Sequence, residues 1–223
     1  MYDKEYSMNI YNIISKAYDL LDIVYFNEIG KSPRQVIMNM IPNSKINILD
    51  MCCGTLSNTI TIANCKPDTK VVGLDLSKDM LRVAKKKLYK QQIKNVYLKC
   101  ADATRTKLKE QSFDYIIIGL VLHECSPELV KGMLHEAYRL LKDNGHLIVL
   151  EWEPPKKFHQ IVKFFPLYLG ERVNCKTFKQ FYTADKALLF RKYGFITEQK
   201  ECCNYSIVLN MKKDIKISPT ENQ

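Results

Sequence analysis

"ILDMCCGTLSNTI", residues 48–60, is the stretch on which the reading of this chain turns. A β-rich apolar run, Ile46–Asp50, ends in an acid and passes through a small-residue turn into the helical pattern Asn58–Cys65. Strand, turn and helix in that order form the opening unit of an α/β fold, and the turn is where such folds bind ligands. A dinucleotide fingerprint, GxGxxG, would let the backbone approach a pyrophosphate at the helix N-terminus. Here the corresponding run is Cys52-Cys53-Gly54-Thr55-Leu56-Ser57, with one glycine, Gly54, in place of three. Asp50 would repel phosphate and suits an ammonium or sulfonium instead. The loop therefore fits a cofactor held through a ribose and a small zwitterion better than a dinucleotide, and a nicotinamide-dependent oxidoreductase is disfavoured.

Further along the chain the strand–helix alternation repeats. Strands are expected at Val71–Asp75, Val96–Cys100, Tyr115–Leu120, His146–Glu151, Phe195–Cys202 and Tyr205–Met211, and helices at Lys78–Gln91, Pro127–Leu141 and Ala184–Tyr193. Ser77 and Ser126 suit helix N-caps, and Gly145 and Gly194 suit helix stops. The short turn around Asn204 makes the last two strands an antiparallel hairpin. The expected fold is α/β: a Rossmann-like, seven-stranded, mostly parallel sheet with a terminal antiparallel hairpin and helices on both faces. It forms one domain over residues 1–211, with a helical lid at residues 1–42, an aromatic and basic insertion at residues 154–182, and a flexible tail at residues 212–223.

Composition limits the rest. The 223 residues are 46% hydrophobic, enough for one sizeable core. No run approaches the roughly 18 apolar residues of a membrane span. The start, "MYDKEYSMNIYNII", lacks the basic-then-apolar order of a secretory signal, so a cytoplasmic location is expected. The eight cysteines include no CxxC and read as reduced thiols, several of them buried; no Cys/His spacing suggests a metal site. The net charge of +10 comes from scattered lysines, and its densest run, Lys85–Lys87, suits a solvated helix face.

The strand ends carry the remaining signals. Asp75, at the end of the second strand and followed by Leu76, is placed to accept from both hydroxyls of a ribose. Asp102 and the Ala103 amide could meet an adenine edge, with Met80 as a soft apolar wall. His123, after the fourth strand, is the titratable group best placed to act as a general base; Glu124 and Glu151 could orient an acceptor or cap helices.

With "ILDMCCGTLSNTI", "VVGLDLSKDML", "KCADAT", "FDYIIIGLVLHE" and "EAYRLLKDNGHLIVLEWEPP" in order, residues 45–155 resemble the class I S-adenosylmethionine-dependent methyltransferases. "AYDLLD", "CGT", "LKDNGHLIVLEWEPP" and the closing "YGF" are similar to their ubiquinone/menaquinone-biosynthesis C-methyltransferase branch. The resemblance implies S-adenosyl-L-methionine as cofactor. Asp50 and Gly54 would sit at its methionine end, Asp75 at the ribose, and Met80, Asp102 and Ala103 at the adenine, with Cys52 and Leu76 as further cofactor contacts. Leu120 would lie beside the sulfonium, and Tyr18 would help close the pocket. Cys52 stands where the family usually has Gly or Ala and Leu56 replaces its third glycine, so Leu56 would either crowd the methionyl group or turn away.

The expected partner is a small apolar or aromatic methyl acceptor. Phe164, Phe165, Leu167, Tyr168 and Leu169 suit such a molecule, and the interspersed Lys163 and Arg172 suit contact with an anionic bilayer. Nucleic acid is disfavoured, because no binding module is appended and no "NPPY"-type motif follows the fourth strand. An RNA methyltransferase and a non-catalytic cofactor-binding protein stay open as alternatives.

Overall fold

The computed structural model describes residue 25 and residues 32–174 and 177–216. The elements run α1 (Pro33–Met40), β1 (Asn47–Met51), α2 (Ser57–Cys65), β2 (Lys70–Asp75), α3 (Lys78–Lys90), β3 (Val96–Cys100) and β4 (Phe113–Gly119). A single 3-10 turn (Leu122–Glu124) precedes α4 (Pro127–Leu140), β5 (Leu141–Trp152), α5 (Phe158–Asn174), α6 (Phe178–Thr183), α7 (Lys186–Arg191), β6 (Phe195–Cys202) and β7 (Ser206–Lys213). The strands form one sheet in the order β3-β2-β1-β4-β5-β7-β6, in which β7 runs antiparallel to both its neighbours and all other pairings are parallel. This is the expected mostly parallel sheet with its terminal hairpin.

Alternation along the buried strands sorts their side chains to two faces. Ile48, Val71, Ile117, Ile148 and Val208 pack with Ile37 of α1, Ile62 of α2 and Leu81 of α3 on one face. Leu49, Ile116, Leu147, Val149 and Leu209 pack with Leu134 of α4 and Phe190 of α7 on the other. Ser77 and Ser126 cap as expected, accepting from the amides of Met80 and Leu129, and Gly194 closes the turn after α7 with φ +82°.

Among the boundaries that differ from the sequence reading, two have a structural cause. Strand β5 begins at Leu141, directly after α4, so Gly145 lies within the strand and does not terminate the helix. A Cβ at Gly145 would stand 2.9 Å from the Lys142 carbonyl oxygen, which is why only glycine fits there. At the other end β7 continues two residues past Met211, through Lys213. Lys213 can be buried because its ammonium donates to the Leu141 carbonyl at 2.9 Å and lies 4.7 Å over the Tyr138 ring. The cysteines also divide differently: Cys53 is buried, whereas Cys65, Cys100 and Cys202 are exposed.

The insertion is helical, supplying α5 and α6. Its inner side builds a separate aromatic cluster of Phe164, Phe178 and Tyr182 with Trp152 and Tyr205. Tyr25, from the expected N-terminal lid, packs edge-on against Trp152, Phe164 and Tyr205 at 5.2–6.1 Å between ring centroids. Its hydroxyl donates to the Lys163 carbonyl at 3.1 Å. Tyr18 and the remainder of that segment lie outside the described residues.

Candidate active site

The order of the strands reverses between β1 and β4, and the crevice at such a switch point is the natural ligand site of an open α/β sheet. A cavity of about 290 Å³ lies there, over the carboxyl ends of β1, β2, β4 and β5. Of the residues expected to hold the cofactor, Asp50, Cys52, Gly54, Asp75, Met80 and Leu120 line it. Leu76, which is solvent-exposed, Asp102 and Ala103 do not. Ala103 is turned into the core below. Asp102 is exposed, and its carboxylate accepts the Thr104 amide and hydroxyl at 2.8 and 2.7 Å, which hold its pKa below the usual range.

The glycine-poor loop keeps a glycine's backbone. Cys52, Gly54 and Leu56 have φ of 62°, 52° and 72°, so every second residue is left-handed at the positions where glycines were missing. For cysteine and leucine that conformation costs about 1–2 kcal/mol each. Leu56 is also fully buried, and its side chain points away from the cavity into the α1–α3 face of the core. A Cβ at Gly73 of β2 would meet Leu56 Cδ2 at 2.8 Å, so the glycine that the loop lacks has a counterpart in the neighbouring strand. The leucine turns away; it does not crowd the ligand.

Asp75 fastens this loop. Its two carboxylate oxygens accept the Gly54 and Ser77 amides, each at 2.8 Å, joining the β1 and β2 ends. Each oxygen has a second acceptor site, so a ribose diol can still be bound. Asp50 is 2% exposed and accepts from the Thr59 hydroxyl. Burial, aided by nearby Asp75 and opposed by Thr59, pushes its carboxyl up to about 7. An ammonium placed beside it would draw it into the ionised form. The Cys52 thiol is pushed up to about 12, by burial first and then by the surrounding acids, which leaves it a protonated wall group and not a nucleophile. A carboxylate with spare acceptor sites, a buried acid suited to a cation, an apolar Met80 and no glycine-lined anion cradle together fit an adenosyl group carrying an amino-acid tail.

His123 takes a different place from the one expected of a base. It is 2% exposed and stands behind the cavity wall, with Nδ1 2.7 Å from Glu151 Oε2. Glu151, fully buried, accepts the Val121 and Leu122 amides through its other oxygen at 3.2 and 2.8 Å. The pair thereby fixes the turn that carries Leu120 and Val121 into the cavity. Nε2 lies 3.8 Å from both Glu124 and Glu171. Burial opposes charge on the imidazole, but Glu151, Glu171 and Glu124 outweigh it and hold the pKa up at about 9. The imidazolium form that these carboxylates favour has no lone pair to take a proton. Folding thus brings His123, Glu124 and Glu171 within 4.8 Å of one another, a grouping with metal-ligand chemistry that sequence spacing did not reveal.

Arg34 of α1, Cys53, Thr55, Ser57, Asn58, Ser77, Gly119, Val121, Glu124 and Leu150 complete the lining. Of these, Glu124 was read only as an orienting group or a cap, and Arg34, far from the motifs, carried no local signal.

Comparison with known proteins identifies the family. Demethylmenaquinone methyltransferase of Lactococcus lactis is 30% identical over 213 residues, covering 87% of this chain and 83% of that protein. The enzyme of the same name from Bacillus cereus strain AH187 is 36% identical over 151 residues, covering 66% of this chain and 62% of that protein. Among solved structures, an S-adenosylmethionine-dependent methyltransferase from Aquifex aeolicus superimposes with a TM-score of 0.66 at 17% identity, over 91% of this chain and 98% of its own. Geranyl diphosphate C-methyltransferase from Streptomyces coelicolor, solved with S-adenosyl-L-homocysteine, gives 0.59 at 8% identity, over 81% and 75%. The profile of the ubiE/COQ5 methyltransferase family matches residues 1–171, and the chain belongs to that family, as an S-adenosylmethionine-dependent methyltransferase.

Proposed function

We propose that this chain methylates a small aromatic acceptor of the reduced quinone type, at a ring carbon activated by a neighbouring hydroxyl. The observation that carries the reading is the far end of the cavity. There Leu120, which lines it, packs against the aromatic cluster of Trp152, Phe164, Phe178, Tyr182 and Tyr205, while the Glu124 side chain supplies a carboxylate. The relatives named as demethylmenaquinone methyltransferases point to the same substrate class.

The cofactor supplies a methyl group on a sulfonium, an electrophile that needs only an aligned, electron-rich carbon. In our reading Asp75 holds the ribose, Met80 flanks the adenine, and Asp50 and Arg34 pair with the ammonium and carboxylate of the methionyl tail. Asp102 and Ala103 stay as candidates for the adenine rim, Leu76 for a further cofactor contact, and Tyr18 for closure. The acceptor's hydroxyl must lose its proton to push electrons into the ring, and once the methyl has passed from sulfur to the ring carbon, that carbon must release its own hydrogen as a proton to restore the aromatic ring. Glu124, which lines the cavity, takes the hydroxyl proton, and His123, 3.8 Å from it, acts as a positioning residue that holds Glu124 and the turn. The apolar walls exclude water from the sulfonium, and alignment supplies most of the acceleration.

The test is transfer of labelled methyl from S-adenosylmethionine to a short-chain demethylmenaquinol kept reduced, with the oxidised quinone alongside. Methylation of the quinol alone, with kcat lowered in Glu124→Gln and cofactor affinity unchanged, is expected. Tight cofactor binding without transfer to any quinol or phenol would overturn the acceptor assignment.

A further inference from the structure

Helix α5 has two apolar faces, and only one of them is used by the fold. Its Phe164, Leu167 and Tyr168 face inward to the aromatic cluster, with Gln160 buried on the same side. Half a turn away Phe158, Ile161, Val162, Phe165, Leu169 and Val173 stand 43–82% exposed. At 100° per residue, positions 158, 162, 165, 169 and 173 form one continuous stripe along a 17-residue helix. A water-facing helix surface normally carries charge, and an apolar stripe of this length marks a surface that is covered in use.

The surroundings say by what. Lys156 and Lys157 precede the helix, Arg172 stands near its end beside the stripe, and Lys179 follows on α6, all exposed. The chain as a whole carries +10. An apolar stripe bordered by cations is what an interfacial helix presents to a bilayer with anionic headgroups. No helix among the described residues is long and apolar enough to cross a membrane, so this contact lies in the bilayer plane. We propose that the outer face of α5 docks on anionic membrane surface. The same helix places Glu171 against His123 on its inner side, so docking sets the lipid next to the end of the cavity assigned to the acceptor. The proposal rests on the helix surface, independently of the acceptor's identity.

The experiment is co-sedimentation of the full chain with phosphatidylcholine vesicles, with and without phosphatidylglycerol, at low and high salt. Binding to the phosphatidylglycerol vesicles, weakened by salt, is expected, with roughly a tenfold or greater loss in the double variant Val162→Glu, Val173→Glu. Leu188→Glu, at an equally exposed leucine on α7, should bind like wild type. In a second measurement, Phe158→Trp should show a blue shift in its added emission with the anionic vesicles alone. Failure to bind vesicles, or equal binding by the double variant, would overturn the proposal. So would a concentration-dependent dimer that the double variant abolishes without any lipid binding, since the face would then join two copies. Methyl transfer to a dissolved short-chain quinol should survive in the double variant, which separates this proposal from the acceptor assignment.

Discussion

Replacing Leu56 by glycine restores the residue expected in the loop, yet it should harm the protein. The side chain is fully buried against Gly73, and removing a buried leucine side chain costs about 2.7–5 kcal/mol when the surroundings relax little. Relief of the left-handed strain at φ 72° returns about 1–2 kcal/mol, and the greater freedom of an unfolded glycine takes back about 0.5–1 kcal/mol. The net loss is about 2–4 kcal/mol, or roughly 5–15 °C in midpoint for a domain of this size. Cys52→Gly is the matched control. It relieves similar strain at φ 62° but removes a small side chain from the cavity wall, so stability should stay within about 1 kcal/mol of wild type. Urea unfolding of the two variants measures both, and a lower midpoint with an unchanged slope is expected for Leu56→Gly alone. A Leu56→Gly protein as stable as wild type would refute the claim that this leucine is a core residue built into a ligand loop.

Asp75→Ala should weaken S-adenosylmethionine binding by more than roughly tenfold, since it loses the ribose acceptor and also frees the Gly54 and Ser77 amides; wild-type affinity by calorimetry would remove the assignment. His123 gives a pH signature. Its folded pKa of about 9 lies above its ordinary 6.5, so its contribution of about 3 kcal/mol is fully present below about pH 6.5 and disappears as pH rises through 9. The difference in unfolding free energy between wild type and His123→Gln should shrink over that window, and a constant difference would show that the ring is not held as an imidazolium. Asp50 links the cofactor to pH: if the ammonium pairs with its ionised form, affinity should rise as pH rises through about 7. A flat profile would place the ammonium elsewhere.

The sheet was legible because each buried strand is a short β-branched run and each helix between them has a polar face, so periodicity alone separates them. The strand-end acids were legible for the same reason: once the strands are placed, Asp50 and Asp75 must lie at one edge. What the sequence withheld depends on backbone angles and distant packing. Nothing local shows that Leu56 turns inward, because that needs both its left-handed φ and a bare Gly73 in the next strand. Nor could His123 be recognised as an imidazolium when Glu151 and Glu171 reach it from β5 and α5. Asp102 and Ala103 match a motif at the right place in the chain, but the Thr104 contacts of the one and the core packing of the other's methyl depend on tertiary structure.

The central claim is that a loop with one glycine still forms the cofactor site at the β1 and β2 ends. Calorimetric titration of the purified chain with S-adenosylmethionine, S-adenosylhomocysteine and NADH tests it most directly. Binding of both adenosyl compounds in the micromolar range or tighter, with none for NADH, is predicted. Absence of adenosyl binding by a folded protein, or binding of NADH in its place, would contradict it.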